Sequence, residues 1–445
     1  MKRLIAIVGS LAVPLMAQTD LSLGDAVRTA LEKHPSIEAS AERVNSAARR
    51  IEQARSGRLP KVNYTESWAR SNNPVFVFSS LLTQHQFTER NFQVGPLNRP
   101  DFLNNFQSLL TVDQMVYDFG QVKAQTKSAE LGRGLAEEDR RRMEMQVIAG
   151  VVRAYLGNIL AGEGLAVARG AVKSAEADLQ RAETIRAAGM STDADVLSIK
   201  VHLAAMREQE IRRQADVQVT AAALNEALGL PLESQHRLTT PLTAASPAAQ
   251  ANENREKNAI AERPEMKQVR LATQLAETQV TAARTALLPQ FGVRSAFEAD
   301  RQQFVNKGGA NWLVAANLRW NLFDGNANRA KVQEAAHAVK SAQAQERQVR
   351  QGVALEVRRA EADLRAARER IAVAQAAVAM AEESLRITRN RFEAGLSNVT
   401  ELLRTETALL ESNMRRLSAT HDQRLAAVLL ELVSGALGRD SEVLQ

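Results

Sequence analysis

Hydrophobic positions along this chain keep two different periods, and the change from one period to the other happens twice. From Leu21 to Leu31 the apolar residues Leu23, Ala26, Val27, Ala30 and Leu31 fall at helical spacing. Pro35 stands where a helix can begin, because a first-turn residue needs no free N–H. The pattern predicts a helix from there to about Arg58, ended by Pro60. Beyond Pro60 the period drops from 3.6 to 2. Val62, Tyr64 and Trp68 share one face, with Glu66 interrupting, and Leu110, Val112 and Val116 share another. The second occurrence is clearer. Phe291, Val293 and Phe297 alternate with Gly292, Arg294 and Ala296. Trp312, Val314, Ala316, Leu318, Trp320 and Leu322 alternate with Leu313, Ala315, Asn317, Arg319 and Asn321. One face is apolar and the other increasingly polar, and each run approaches the roughly 9–11 residues that cross a bilayer as a tilted strand.

Residues 73–105 join the first strand pair and carry Asn73-Pro74, Gly95-Pro96, Arg99-Pro100 and five phenylalanines, which reads as a long surface loop. Its counterpart near Asp300 to Gly309 is much shorter. After Gly120 and Gly325 the chain turns alanine-rich and helical for about 70 residues, roughly 105 Å of helix. In the second half a 3-4 repeat is unbroken through Val353, Val357, Ala360, Leu364, Ala367, Ile371, Ala374, Val378, Ala381 and Leu385. Such a stripe is a coiled-coil seam, and its small residues admit close helix approach. Gly189 and Gly395 interrupt the pattern, and helices run back to about Gly229 and Gly435.

The punctuation confirms a duplication. Pro35 and Pro60 are 25 residues apart, as are Pro264 and Pro289, while Gly120–Gly189 and Gly325–Gly395 span 69 and 70. A period near 200 residues is too long for a solenoid repeat. The expected organisation is a signal peptide at 1–17, a first strand-pair and helical-hairpin repeat at 18–231, a linker at 232–257, a second repeat at 258–438 and a tail at 439–445.

Aromatic placement changes the picture from fold to environment. Only 18 of 445 residues are Phe, Trp or Tyr, and sixteen lie within 60–120 or 289–325. A soluble core would spread them, because they bury so much area. Concentration on short strands suits the interfacial girdle of an outer-membrane barrel, with Trp68, Trp312 and Trp320 as its anchors. The N-terminus agrees: Lys2 and Arg3 precede a short apolar stretch from Leu4 to Met16, and Leu15-Met16-Ala17 reads as a secretory cleavage site. No later segment has 18 uncharged apolar residues, so no transmembrane helix is expected. Four strands per chain cannot close a barrel, and an open edge in lipid leaves backbone groups unpaired. The chain must oligomerise, with two copies giving eight strands and three giving twelve.

Charge and chemistry exclude more than they add. There is no cysteine, hence no disulfide, no thiolate metal site and no cysteine nucleophile. Formal charge is +6, with acids and bases mixed along the helices as in Glu137-Glu138-Asp139 before Arg140-Arg141-Arg142, so nucleic acid is not an expected partner. The six histidines are dispersed, and no hydrolase, metalloprotease or phosphate-loop motif occurs. The expectation is a protein that is not an enzyme, with no cofactor and no metal.

Several short motifs, in order and duplicated, then identify the chain as resembling the TolC-like outer-membrane efflux proteins. They are Leu21-Ser22-Leu23-Gly24-Asp25-Ala26 with Ala30-Leu31 and His34-Pro35, the Leu-Pro before each first strand, Tyr117-Asp118-Phe119-Gly120 and Leu322-Phe323-Asp324-Gly325, and the two Ala-Gly turns. The resemblance covers nearly all of the mature chain. It implies a mixed α and β membrane protein: a homotrimeric 12-stranded β-barrel, four strands per chain, continued by a long α-helical coiled-coil barrel from the outer membrane into the periplasm. It implies a passive exit duct for efflux or type I secretion, docked to a periplasmic adaptor and to an inner-membrane pump or ATP-driven (ABC) transporter. The tips Gly189-Met190-Ser191 and Gly395-Leu396-Ser397 would meet the adaptor. Asp195 and Glu401, at matching positions past the tips, would narrow the pore. One departure is Arg404, which stands where a second acid is common and is placed to pair with Glu401 at i, i+3. The competing class is a periplasmic adaptor or coiled-coil scaffold, which normally carries one hairpin inside a compact β domain.

Overall fold

The computed structural model describes residues 19–244, 254–305 and 308–444; the signal segment and the middle of the linker lie outside these. The first repeat holds β1 (Thr19–Leu21), α1 (Leu23–Lys33), α2 (Pro35–Arg55), β2 (Lys61–Ser71), α3 (Pro74–Thr83), α4 (Val94–Asn98), β3 (Leu103–Tyr117), α5 (Gln121–Ala187) and α6 (Asp193–Leu228). Then come β4 (His236–Leu238), α7 (Arg255–Glu262), α8 (Pro264–Thr285), β5 (Gln290–Arg301), β6 (Gly308–Arg319), α9 (Ala327–Glu393) and α10 (Val399–Ser434). Matched elements have matched lengths: α5 and α9 run 67 residues each, and α6 and α10 run 36 each. The duplication read from proline and glycine spacing is therefore a duplication of elements.

The chain divides into two compact units. The unit formed by residues 43–137 and 268–346 is built on one antiparallel sheet of order β2-β3-β5-β6. Register settles which side chains share a face. Tyr64, Leu110, Phe297 and Trp312 lie directly across from one another in one row, and Val62, Val112, Ser295 and Val314 in another. The alternate rows are polar: Lys61, Asp113 and Arg294, then Ser67, Gln107 and Asp300. Asp113 and Arg294 pair at 2.6 Å on this polar face. Glu66, the interruption on the apolar face, is not left bare. Arg301 reaches it at 2.8 Å, and the Tyr64 hydroxyl donates to it at 2.6 Å. Trp68 and Trp312 stand on the apolar face toward the end where β2 passes to α3, while Trp320 follows β6 at the opposite end, its indole N–H donating to the Leu287 carbonyl at 3.2 Å.

The connection from Ser71 to Leu103 is folded rather than irregular. Asn73 caps α3 by accepting from the Val75 and Phe76 amides. Phe78, Phe87 and Phe92 then meet edge to face, with centroids 5.0 to 6.5 Å apart. Aromatic edge contacts of this kind hold a short segment that lacks a periodic core of its own.

The other unit, residues 1–42, 138–267 and 347–445, is helical. Its core gathers Leu23, Val27, Val151, Val152, Tyr155, Leu156, Leu224 and Leu228, all buried. One window of α5 is apolar enough to cross a membrane by composition, but half of it is buried in this unit. Tyr155 is fully enclosed; its hydroxyl donates to the Leu21 carbonyl at 2.8 Å and accepts from the Thr240 amide at 3.1 Å. It thereby pins the pairing of β1 with β4, so the first part of the linker is structured. Gly229 and Gly435 end α6 and α10 in the left-handed region, at φ 71° and 76°. Each packs on the residues before a helix-opening proline, Gly229 on Lys33 and His34 and Gly435 on Arg263. In the seam predicted for α9, Val353, Val357, Leu364, Ala367, Val378 and Leu385 are buried. The tail folds back through Leu444, which is buried.

Candidate functional site

The tips are built by the same local chemistry twice. At the end of α5 the Gly189 amide donates to the Arg186 carbonyl at 2.8 Å and the Met190 amide to Ile185 at 3.1 Å. At the end of α9 the Gly395 amide donates to Phe392 at 3.0 Å and the Leu396 amide to Arg391 at 2.8 Å. These are left-handed caps with a six-to-one bond, and glycine is used because φ is +77° and +71°. The closure leaves Met190 74% and Leu396 70% exposed, so each turn presents one large apolar side chain to solvent.

Asp195 and Glu401 sit in the first turn of the next helices, and their carboxylates turn back to the caps. Asp195 accepts from the Thr192 amide at 3.0 Å, from the Thr192 hydroxyl at 2.7 Å and from Ser191 at 3.1 Å, while its own amide donates to Thr192. That is a capping box. The Thr192 amide and hydroxyl hold its carboxyl below the usual carboxylate range. Glu401 accepts from Ser397 at 2.6 Å, and its amide donates to Asn398 at 2.9 Å. Among the described residues Arg404 does not pair with Glu401, one of whose oxygens accepts from Ser397. Among the described residues no hydrogen bond or ion pair joins Asp195 to Glu401. Each keeps one oxygen outside its cap bonds, so both remain able to meet a cation.

A buried charged cluster went unnoticed in the sequence. It lies where α5, α6, α9 and α10 pack together. Arg389 reaches the Ser174 hydroxyl at 2.8 Å, Asp178 at 3.2 Å and Glu406 at 3.1 Å. Arg181 pairs with Asp178 at 2.6 Å and with Glu393 at 3.2 Å, and His202 lies 3.3 Å from Glu406. Burial first, and then the neighbouring Glu406, pushes Asp178 up to about 7. Burial also pushes Glu406 upward, but hydrogen bonds from His202, Asp178 and Ser174 overcome it and bring it down to about 2. The apolar residues around it are Ala182, Ile199, Leu385, Phe392 and Leu402. The readable signal was positional. Asp178 falls three residues after Ala175 and four before Ala182, and Arg389 four after Leu385 and three before Phe392. Both are polar gaps in apolar 3-4 seams.

The tips, the acids past them and a strand pair with one apolar face recur in both halves. The model of the outer membrane efflux protein family matches residues 26–230 and 257–436. The alkaline protease secretion protein AprF of Pseudomonas aeruginosa is 24% identical over 94% of this chain and 85% of its own length. The fold is that of a membrane protein from Pseudomonas aeruginosa, with TM-score 0.80, 22% identity and 94% of each chain covered. It is also that of the CmeC outer membrane channel of Campylobacter jejuni, with TM-score 0.77, 16% identity and 95% and 87% of the two chains covered. With both repeats matched almost end to end, the chain belongs to the outer membrane efflux protein family.

Proposed function

We propose that this chain forms the outer-membrane exit channel of a tripartite efflux or type I secretion system. The observation that carries it is the sheet. It has four strands, one apolar face and one polar face, and its edge strands β2 and β6 have no partner among the described residues. An unpaired edge cannot stand in lipid, so neighbouring copies complete it. Three copies give twelve strands, with the apolar rows toward lipid, Trp68, Trp312 and Trp320 in the interfacial girdle, and the polar rows toward the passage. The helices carry a matching demand. Val373, Met380 and Ile387 on α9 are exposed at seven-residue spacing, and Leu197, Val201, Ile211 and Val219 on α6 are exposed as well. Such stripes suit packing against a second copy.

In this reading the exposed Met190 and Leu396 of the two tips receive a periplasmic adaptor, which links the channel to an inner-membrane pump or ABC transporter. Asp195 and Glu401 ring the narrow end. The AprF likeness favours a secretion role at least as much as small-molecule efflux. The test is fractionation with chemical crosslinking. The expected result is an outer-membrane species of three times the chain mass; a soluble periplasmic monomer would overturn the reading. Bulky residues in place of Gly189 and Gly395 should abolish export while the trimer persists.

A further inference from the structure

The folded connection between β2 and β3 lies across the polar face of the sheet. Three observations place it there. Gln84, 1% exposed, donates to the Asn104 carbonyl and to the Asn105 side chain, both at 2.9 Å. The Asn311 side chain donates to the Thr83 carbonyl at 3.1 Å, and its oxygen lies 3.2 Å from the His85 ring. A Cβ added to Gly309 would come within 2.5 Å of that ring. Asn105, Asn311 and Gly309 belong to the polar rows: Asn105 alternates with Phe106, and Asn311 and Gly309 alternate with Trp312. The chain therefore leaves β2, turns over the polar side of the strand ends, and is fastened to β3 and β6.

We propose that this connection is a lid forming a second constriction of the passage, at the mouth opposite the helices. The inference rests on the reading above, in which the polar face lines that passage. Each copy carries one lid, so three would converge on the axis. The attachment is made of a few hydrogen bonds through Gln84, His85 and Asn311, with no ion pair among the described residues. Each such bond has a net worth of only about 0.5–1.5 kcal/mol. The lid moves as a body rather than unravelling, because Asn73 caps its helix and the Phe78, Phe87 and Phe92 rings bind its parts together. A half-open pocket of about 340 Å³ lies beside it, lined among others by Phe78, Phe87, Asn91, Arg99, Leu103 and Gln302. Gly309, near the start of β6, is the seat that lets His85 come so close.

The test is planar-bilayer recording of the full-length protein with polyethylene glycols of graded size added to the lid side. Two variants are used: Asn311→Ala, which removes the fastening on β6, and replacement of residues 75–99 by a short glycine-serine linker. The lid predicts that the replacement raises single-channel conductance about two-fold and admits larger polymers, because a constriction sets the series resistance of a pore. Asn311→Ala should show the same wider level intermittently. If the deletion variant fails to insert, Asn311→Ala decides alone. Channels with the parental conductance and polymer cut-off in every variant that inserts would overturn the lid while leaving the channel reading intact. Absence of any channel from the parent protein would instead overturn the reading on which the lid rests.

Discussion

Replacing Arg389 with leucine probes what binds the two hairpins of one chain together. The guanidinium touches Asp178 at 3.2 Å and Glu406 at 3.1 Å, and their side chains are 1% and 7% exposed. Removing one partner of a buried ion pair costs about 3–5 kcal/mol, because the remaining charge is left uncompensated. Here the loss is reduced. Arg181 still holds Asp178 and His202 still faces Glu406. We expect about 2–3 kcal/mol, which corresponds to a 30- to 150-fold rise in local opening. The assay is amide hydrogen exchange on the assembled protein, read in peptides covering 174–186 and 400–410, with peptides of α1 as the internal reference. Adding Asp178→Asn to Arg389→Leu should recover part of the loss, since it removes a buried carboxylate that only Arg181 would then face; such non-additivity is the mark of a direct pair. Unchanged exchange in both peptides for Arg389→Leu would refute the argument, and so would strict additivity of the two substitutions.

Three further outcomes follow from the same geometry. Asp178 titrates near 7 when folded, above its ordinary 3.8, so the folded state holds more protons in between and local stability falls as pH rises from about 4 through 7. Glu406, brought down to about 2, contributes stability that is lost as pH falls from about 4.5 through 2, below the Asp178 window sampled at pH 5.5 and above, so exchange corrected for its intrinsic rate should quicken between pH 5.5 and 7 and flatten in Asp178→Asn. Alanine at Gly229, where a Cβ meets the Lys33 carbonyl at 2.8 Å, should cost about 2–4 kcal/mol in thermal unfolding, whereas Gly189, with the same left-handed backbone and open space, should cost only about 1. Asp195→Ala with Glu401→Ala should lower cation selectivity in bilayers; a variant with parental selectivity and parental block by multivalent cations would take the two acids out of the constriction.

Most of this fold was legible because its two periods are enforced by environments that punish error. A one-residue slip in β5 would turn Phe297 to the polar face and Glu298 to the apolar one, so alternation in the sequence predicts register well. The α9 seam is legible for the same reason. What escaped were features without a period. The ten residues of α3 include Val75, Phe76, Val77 and Phe78 in succession, which gives no face to read. Its structure depends on Phe87 and Phe92, which are distant enough to leave no local signal. β1 and β4 are three residues each and are specified by Tyr155 from another element. Asp195 and Glu401 take matching places in the first turns of α6 and α10, yet the Thr192-x-x-Asp195 capping box, plain in the sequence, explains Asp195 without any pore.

The charged cluster shows how far the two repeats have diverged from a common plan. Gly189 and Gly395 are 206 residues apart, and the same offset carries Glu183 to Arg389 and Lys200 to Glu406. In the first repeat Glu183 and Lys200 pair at 3.2 Å across their hairpin, and in the second Arg389 and Glu406 pair at 3.1 Å across theirs. The bridge is the same and its charges are exchanged. The surroundings differ more than the distance does. Glu183 and Lys200 are about half exposed, where such a pair is worth roughly 0–1 kcal/mol. Arg389 and Glu406 are turned into the junction of the hairpins, where Asp178 of the other repeat adds a second carboxylate. Equal distances therefore predict unequal consequences. Removing both Glu183 and Lys200 by alanine should leave hydrogen exchange in 174–186 and 400–410 within about three-fold of the parent. An effect as large as that of Arg389→Leu would mean that burial does not separate the two pairs.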